Sequence, residues 1–369
     1  MLQRKKHLES PENASVSRPR LRSHSVTRAL FFSALAMTMT CAPGDSDSIR
    51  ARSSDDVPPK LSPEQARIFR ITDLDPFPRR RRLRAAHYPA SNEYRIDLFQ
   101  QHIKGLRGGY IGVGTDQNFT FIAWARSEYA WLIDFNPVIV AVNRIHILFL
   151  KEAPTYGDFR ALWTQPRARK SFELIRKRFL TDEDYPTIVK AWRVARRGSA
   201  DVPERLKELD KLKRRFGLDT FSSNPRDYAY VRGLALAGRM QAISGNLLGN
   251  RTIPAISASA RKLNTVIRVM YTSNAEDYFR GYKKNFRESI KGLPLDARGM
   301  LIRTVSWGAK RELGWPKGEK YVSHPFHYNI QPLQNLRAWM AHPKPLSIVS
   351  LMRKRTRMSR GFSRIIKEP

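Results

Sequence analysis

Gly112, Gly114 and Asp134 are the residues whose types and spacing point most directly to chemistry. They stand in Gly109-Tyr-Ile-Gly-Val-Gly-Thr-Asp-Gln-Asn118 and, twenty residues after Gly114, in Trp131-Leu-Ile-Asp-Phe-Asn136. Glycines at the end of a buried strand let the chain turn tightly and let a ligand approach the backbone. A carboxylate just beyond the end of the next strand can accept both hydroxyl hydrogens of a ribose. The chemistry is that of a nucleoside-cofactor site. Gly-x-Gly alone also serves ordinary turns, and it is the correctly spaced acid that argues for the site. Asn118 is placed either to orient a polar cofactor group or to cap the following helix.

These residues need an α/β framework to bring them together. The apolar Tyr110-Ile-Gly112 ends one buried parallel strand, Ala130 to Ile133 forms the next, and Asn118 to Ser127 is the helix between them, its free amides facing the loop. Val138 to Phe149 is long and apolar enough to be a helix, with Arg144 and His146 either lining a cleft or sitting on the helix surface. Further strands are expected at Met240 to Gly245, Thr265 to Tyr271 and Gly299 to Trp307, with a helix at Thr252 to Leu263. Charged helical patterns at Ser171 to Phe179 and Pro203 to Phe216 define a helical insertion at about 155–225, placed to cap the carboxyl ends of the strands or simply to pack beside them. Ser62-Pro-Glu-Gln65 reads as a capped helix start and places the beginning of the folded body.

The chain also resembles a family of bacterial proteins related to the class I S-adenosylmethionine-dependent methyltransferases, from about Tyr94 to Gln331. The segments that carry the likeness are the glycine loop through Thr120, Leu132-Ile-Asp-Phe-Asn136, Gly245-Asn-Leu-Leu-Gly249 and Tyr271-Thr-Ser-Asn-Ala-Glu-Asp-Tyr278. The resemblance implies a three-layer, mostly parallel Rossmann-like methyltransferase sheet. It implies that the loop at Gly112 and Gly114 passes under the methionine part of S-adenosylmethionine and that Asp134 holds the ribose. Gly245 and Asn246 would lie on the adenine side. Ser273 and Asn274 would stand where the reacting substrate approaches, with Glu276 and Asp277 either orienting a substrate amine or hydroxyl or serving as turn residues. Three departures stand out: Gly109 and Tyr110 occupy the place where an acid usually precedes the loop, the third close glycine is missing, and Asn246 stands where relatives favour Asp.

His324 and His327 are tempting as a metal pair, but Pro325 interrupts a helix there and no cysteine or acid cluster completes a coordination shell, so a polar pocket edge is the expected role and no metal is assigned. The single cysteine excludes a disulfide framework. The formal charge of +34, from 67 basic against 33 acidic side chains, implies attraction to polyanions, which could be anionic lipid, an acidic glycan or nucleic acid, the last ranked below a membrane surface because no nucleic-acid-binding motif is present; dispersed arginines also serve simply as a solvated surface.

The first sixty residues form a basic leader. Arg18, Arg20, Arg22 and Arg28 precede the apolar run Ala29 to Met39, and Cys41 follows, in the order of a signal sequence. Processing before Cys41 would leave a lipid-bearing cysteine and a flexible tether through Pro59, placing the protein in the bacterial cell envelope; Thr38 and Thr40 depart from the usual lipoprotein pattern, and a cytoplasmic protein is the alternative. Residues 61–350 are the expected methyltransferase-like body and 351–369 a basic tail. The functional expectation is methyl transfer from S-adenosylmethionine to an unknown acceptor. The rivals are a noncatalytic envelope-attached binding protein on the same fold and, third, a nucleic-acid-binding protein. Oligomeric state is not readable.

Overall fold

A computed structural model of the chain describes residues 57–78, 88–197, 201–308, 311–320 and 324–369. The leader, Cys41 and the basic run Arg79 to Arg84 lie outside the described residues. Chain order begins with α1 (Pro63–Phe69), α2 (Asp97–Ile103), β1 (Gly109–Val113), α3 (Gln117–Ala125), β2 (Tyr129–Asp134) and α4 (Pro137–Glu152). A helical stretch follows, α5 (Tyr156–Trp163), α6 (Ala168–Phe179), α7 (Tyr185–Val194), α8 (Val202–Phe216) and α9 (Pro225–Leu236). Then come β3 (Met240–Ser244), α10 (Thr252–Lys262), β4 (Ile267–Ser273), α11 (Lys284–Gly292) and β5 (Met300–Ser306). The chain closes with β6 (Phe326–Pro332), α12 (Leu333–Ala341), α13 (Ile348–Met352), β7 (Thr356–Ser359) and β8 (Phe362–Arg364).

The eight strands form one sheet in the order β3-β2-β1-β4-β5-β6-β8-β7. The first five are parallel, and β6 joins β5 antiparallel. Ile111 pairs with Trp131 and Val113 with Ile133, so the glycine loop and Asp134 leave the sheet at the same edge on adjacent strands. The order reverses between β1 and β4: β2 and β3 run outward on one side of β1, β4 and β5 on the other. In open α/β sheets the crevice outside the carboxyl ends at this reversal is where ligands bind.

Strands buried on both faces read as continuous apolar runs, and β1 is buried at every position. Alternate residues feed two separate cores. Tyr110, Ala130, Leu132 and Tyr271 join a core built with α2 to α9, while Ile111, Trp131, Ile133 and Met270 join one built with α10 to α13 and Phe69 of α1. The helical insertion is continuous with the first core: Phe149 of α4, Trp163 of α5 and Trp192 of α7 stack edge to face or tilted on one another, and the Trp124 indole of α3 donates to the Asp219 carbonyl beyond α8 at 2.8 Å.

Two expected boundaries shift. The tether was expected to run through Pro59, yet Arg239 donates to the Pro59 carbonyl at 2.7 Å and Val57 fills the space beside Gly233. The basic tail expected from Leu351 instead completes the sheet: Phe362 is buried beside Tyr328 and Ile330 of β6 in the first core, and Ile365 is buried in the second. No helix among the described residues is long and apolar enough to cross a membrane.

Candidate functional site

Gly114 leaves β1 with φ +79°, and a side chain there would meet nothing within 4 Å. Its amide donates to Asp134 Oδ2 at 3.3 Å, and Asp134 Oδ1 accepts the Asn136 amide at 2.8 Å. The Phe135 backbone bonds to the same carboxylate, and of its about four acceptor positions about one remains for a ribose hydroxyl. Burial pushes the Asp134 carboxyl up to about 6, against the backbone hydrogen bonds that favour its charge. It is therefore a carboxylate whose charge is held at some cost.

The other glycines have internal reasons. A Cβ on Gly112 would stand 2.0 Å from Asn118 Oδ1 and 2.6 Å from the Tyr110 ring. Asn118 is fully buried and already occupied: it accepts from the Tyr110 hydroxyl at 2.7 Å and donates to the carbonyls of Val113 at 3.1 Å and Thr115 at 2.8 Å. Neither a cofactor contact nor an N-cap, it pins the shape of the glycine loop. Gly245 would press on Ile133 at 2.9 Å. Asn246 is exposed, its side-chain carbonyl accepting the Leu248 amide at 3.0 Å. The turn it begins is organised by Asp75, which accepts the amides of Asn246, Asn250 and Arg251, each at 3.1 Å. A carboxylate from the chain's own amino-terminal segment thus fills the amide cradle ahead of α10. Asp75 also explains Gly249, where a Cβ would fall 2.2 Å from its carboxylate.

Ser273 ends β4 with φ +49°, a conformation that costs a non-glycine residue about 1–2 kcal/mol. Its hydroxyl donates to Glu93 Oε1 at 2.7 Å, and Thr304 donates to the same oxygen at 2.9 Å. Asn274 reaches Ser306 Oγ at 3.4 Å. Both residues are partly exposed at the carboxyl edge, beside the crevice. Glu276 is different. It is fully buried and receives Arg303 Nη1 at 2.9 Å, the Thr272 hydroxyl at 2.9 Å and the Tyr282 hydroxyl. That network excludes a substrate-orienting role and makes Glu276 a structural residue. Asp277 accepts the Ser306 amide at 2.9 Å and ties the turn to β5.

His146 neither lines the crevice nor sits on a helix surface. It is fully buried among Phe119, Phe159 and Trp163, and burial drives its pKa down to about 3, so it stays neutral. Arg144 is an ion-pair hub, bonded to Asp182 and Asp184 ahead of α7. His324 stacks on Tyr94 with ring centres 5.0 Å apart, whereas His327 shares a 2.7 Å hydrogen bond with Ser363 inside the sheet. A separate groove of about 640 Å³ between α1 and α10 mixes Arg67, Arg70 and Lys262 with Glu64 and Asp73 and lies on the other core's side of the sheet.

Three residues that the motif reading passed over converge on the glycine loop. Glu93 is buried, and desolvation raises its carboxyl pKa against the hydrogen bonds of Ser273 and Thr304. Its field also reaches Tyr110, so this acid stands near the strand that lacks the usual preceding carboxylate. Arg205 of α8 descends from the insertion to Asp116 Oδ2 at 3.1 Å and to the Gln117 side-chain carbonyl. Asn143 of α4 donates to the Gly114 carbonyl at 2.7 Å. Asn143 and Arg205 signal themselves in the sequence only as polar residues inside an apolar and an amphipathic helix, which for Arg205 is indistinguishable from the charged face around it, and Glu93 lies in the irregular segment before α2.

The fold is that of a doubly wound α/β protein with a mostly parallel sheet, and Gly114 and Asp134 stand together at its strand-order reversal. Residues 88–366 match the model of the domain of unknown function DUF7790, and the chain belongs to that family. No curated protein matches the chain.

Proposed function

We propose that the crevice binds S-adenosylmethionine and that the protein transfers the activated methyl group to an acceptor approaching past Ser273 and Asn274. The observation that carries the reading is the pairing of Gly114, open to a ligand at positive φ, with the Asp134 carboxylate on the neighbouring strand at the strand-order reversal. Phe135, exposed beside Asp134, offers a ring face for adenine, and Asn246 a side-chain amide for its polar edge. A sulfonium methyl is already activated, so alignment of the acceptor behind it and exclusion of water suffice, without a proton-transfer dyad.

A second reading, a binding protein that keeps the fold without the transfer, is favoured by one feature: Gly112, Asn118 and Gly245 are all accounted for by packing alone. Calorimetric titration of the full chain with S-adenosylhomocysteine, the demethylated product, tests the site common to both. Saturable binding is expected at pH 7 and weaker binding at pH 5, because ribose donates to the ionised carboxylate and Asp134 takes up its proton near 6. Absence of heat at millimolar ligand contradicts the site. Binding without methyl release to any acceptor supplied supports the second reading.

A further inference from the structure

Arg205 Nη1, Gln117 Nε2 and Asn143 Oδ1 are buried and have no hydrogen-bond partner among the described residues, and Glu93 Oε2 meets no close donor, although the Tyr271 hydroxyl stands beside that carboxyl. Each parent side chain is at least nine-tenths buried. A buried polar atom left unpaired costs about 1–3 kcal/mol, more when it carries charge, so these call for an explanation. Three of these side chains belong to the segment from Gly114 to Gln117 or bond to it, Gln117 itself, Arg205 through Asp116 and Gln117, and Asn143 through the Gly114 carbonyl, while the Glu93 carboxylate is held by Ser273 and Thr304 and only the backbone of nearby Ser91 reaches the loop, its amide donating to Asp116 Oδ1 at 2.7 Å. Glu93 and Arg205 are also close enough to feel each other's charge.

The set comprises two donors and two acceptors, with one cation and one carboxylate among them. Free α-amino acid ends carry the complement, a carboxylate that accepts and an ammonium that donates. We propose that the helical insertion is part of the ligand site: Arg205 and Gln117 receive the carboxylate of the ligand's amino-acid end, and Asn143 and Glu93 its ammonium. The inference rests on the nucleoside reading of Asp134 and adds what selects the rest of the ligand. Because Arg205 comes from α8, the insertion, which the sequence leaves between a cap over the strand ends and a packing appendage, becomes the wall that recognises a zwitterion. Its guanidinium can serve Asp116 and a second carboxylate together, since it has five donors in a fixed fork.

The test compares S-adenosylhomocysteine with 5′-methylthioadenosine, which keeps the thioether nucleoside but lacks the amino-acid end, on the full chain by calorimetry. Wild type should prefer S-adenosylhomocysteine by about tenfold or more, the scale of a charge-assisted contact. R205M should lose most of that preference while binding methylthioadenosine as wild type does. Where R205M fails to fold because Asp116 is left without its cation, Q117M decides, since it removes a donor and leaves the Arg205–Asp116 pair. Equal affinity of wild type for the two nucleosides, or full preference in the folded variants, overturns the inference and leaves the Asp134 reading standing. Failure of both nucleosides to bind overturns the two together.

Discussion

Gly112 and Gly114 look equivalent in a motif, but they answer to different forces. At Gly112 the obstacle is packing, because the Asn118 amide and the Tyr110 ring already occupy the place of a Cβ. At Gly114 it is the backbone, since φ is +79° and the space beyond is open. G112A should therefore cost about 1–3 kcal/mol through displaced core groups. G114A should cost roughly 1 kcal/mol through φ alone while placing a methyl where a ligand would approach. Thermal melts with nucleoside titrations separate them: G112A is expected to melt lower, and G114A to melt nearer wild type with weakened binding. The reverse order of melting would contradict this division. Asp134 shows the same tension in its charge. Its folded pKa is raised, so its ionisation penalises the fold increasingly as pH rises from about 4 to about 6 and fully above that. Stability and ligand binding therefore depend on pH in opposite senses at this residue.

At the scale of elements, β4, β5 and β6 are tied together by one buried polar network. Arg303 of β5, fully enclosed, donates to Glu276, to Asn329 Oδ1 at 3.0 Å and to the Gln331 side-chain carbonyl on β6. Removing one partner of a buried ion pair strands the other charge, so E276A should lower the unfolding free energy by about 3–5 kcal/mol, measured by urea denaturation. A loss below about 1 kcal/mol would contradict the fixed network. This network also explains what the sequence concealed. The parallel strands β1, β2 and β4 were legible because they are buried on both faces and end in glycine, acid or serine. In β6 the alternation of His327, Asn329 and Gln331 with Phe326, Tyr328 and Ile330 is itself a strand pattern, but it conceals the burial of the second face, because a polar row normally means solvent. Here it is buried. Glu93, Asn143 and Arg205 were missed for a related reason. They lie in three separate segments and meet only because α2, α4 and the insertion pack on the same face of the sheet. The position of Ser273 and Asn274 at the end of β4 was legible because the end of a strand can be read locally.

For the whole molecule, the account depends on the strand order. The reversal between β1 and β4 opens the sheet edge where Gly114, Asp134 and Ser273 emerge, and the insertion brings Arg205 to the same edge. The formal net charge of +34 belongs to the whole chain and says nothing of this edge. The central claim is a nucleoside held through its ribose by Asp134. Its most direct test is calorimetric titration of S-adenosylhomocysteine into the full wild-type chain and into D134A at pH 7. Loss of the ribose hydrogen bond should weaken binding by about 1–3 kcal/mol, roughly five- to hundredfold, in a variant that still folds. Equal affinity in the two proteins would contradict the role assigned to Asp134, and no binding by folded wild type at millimolar ligand would contradict the site itself.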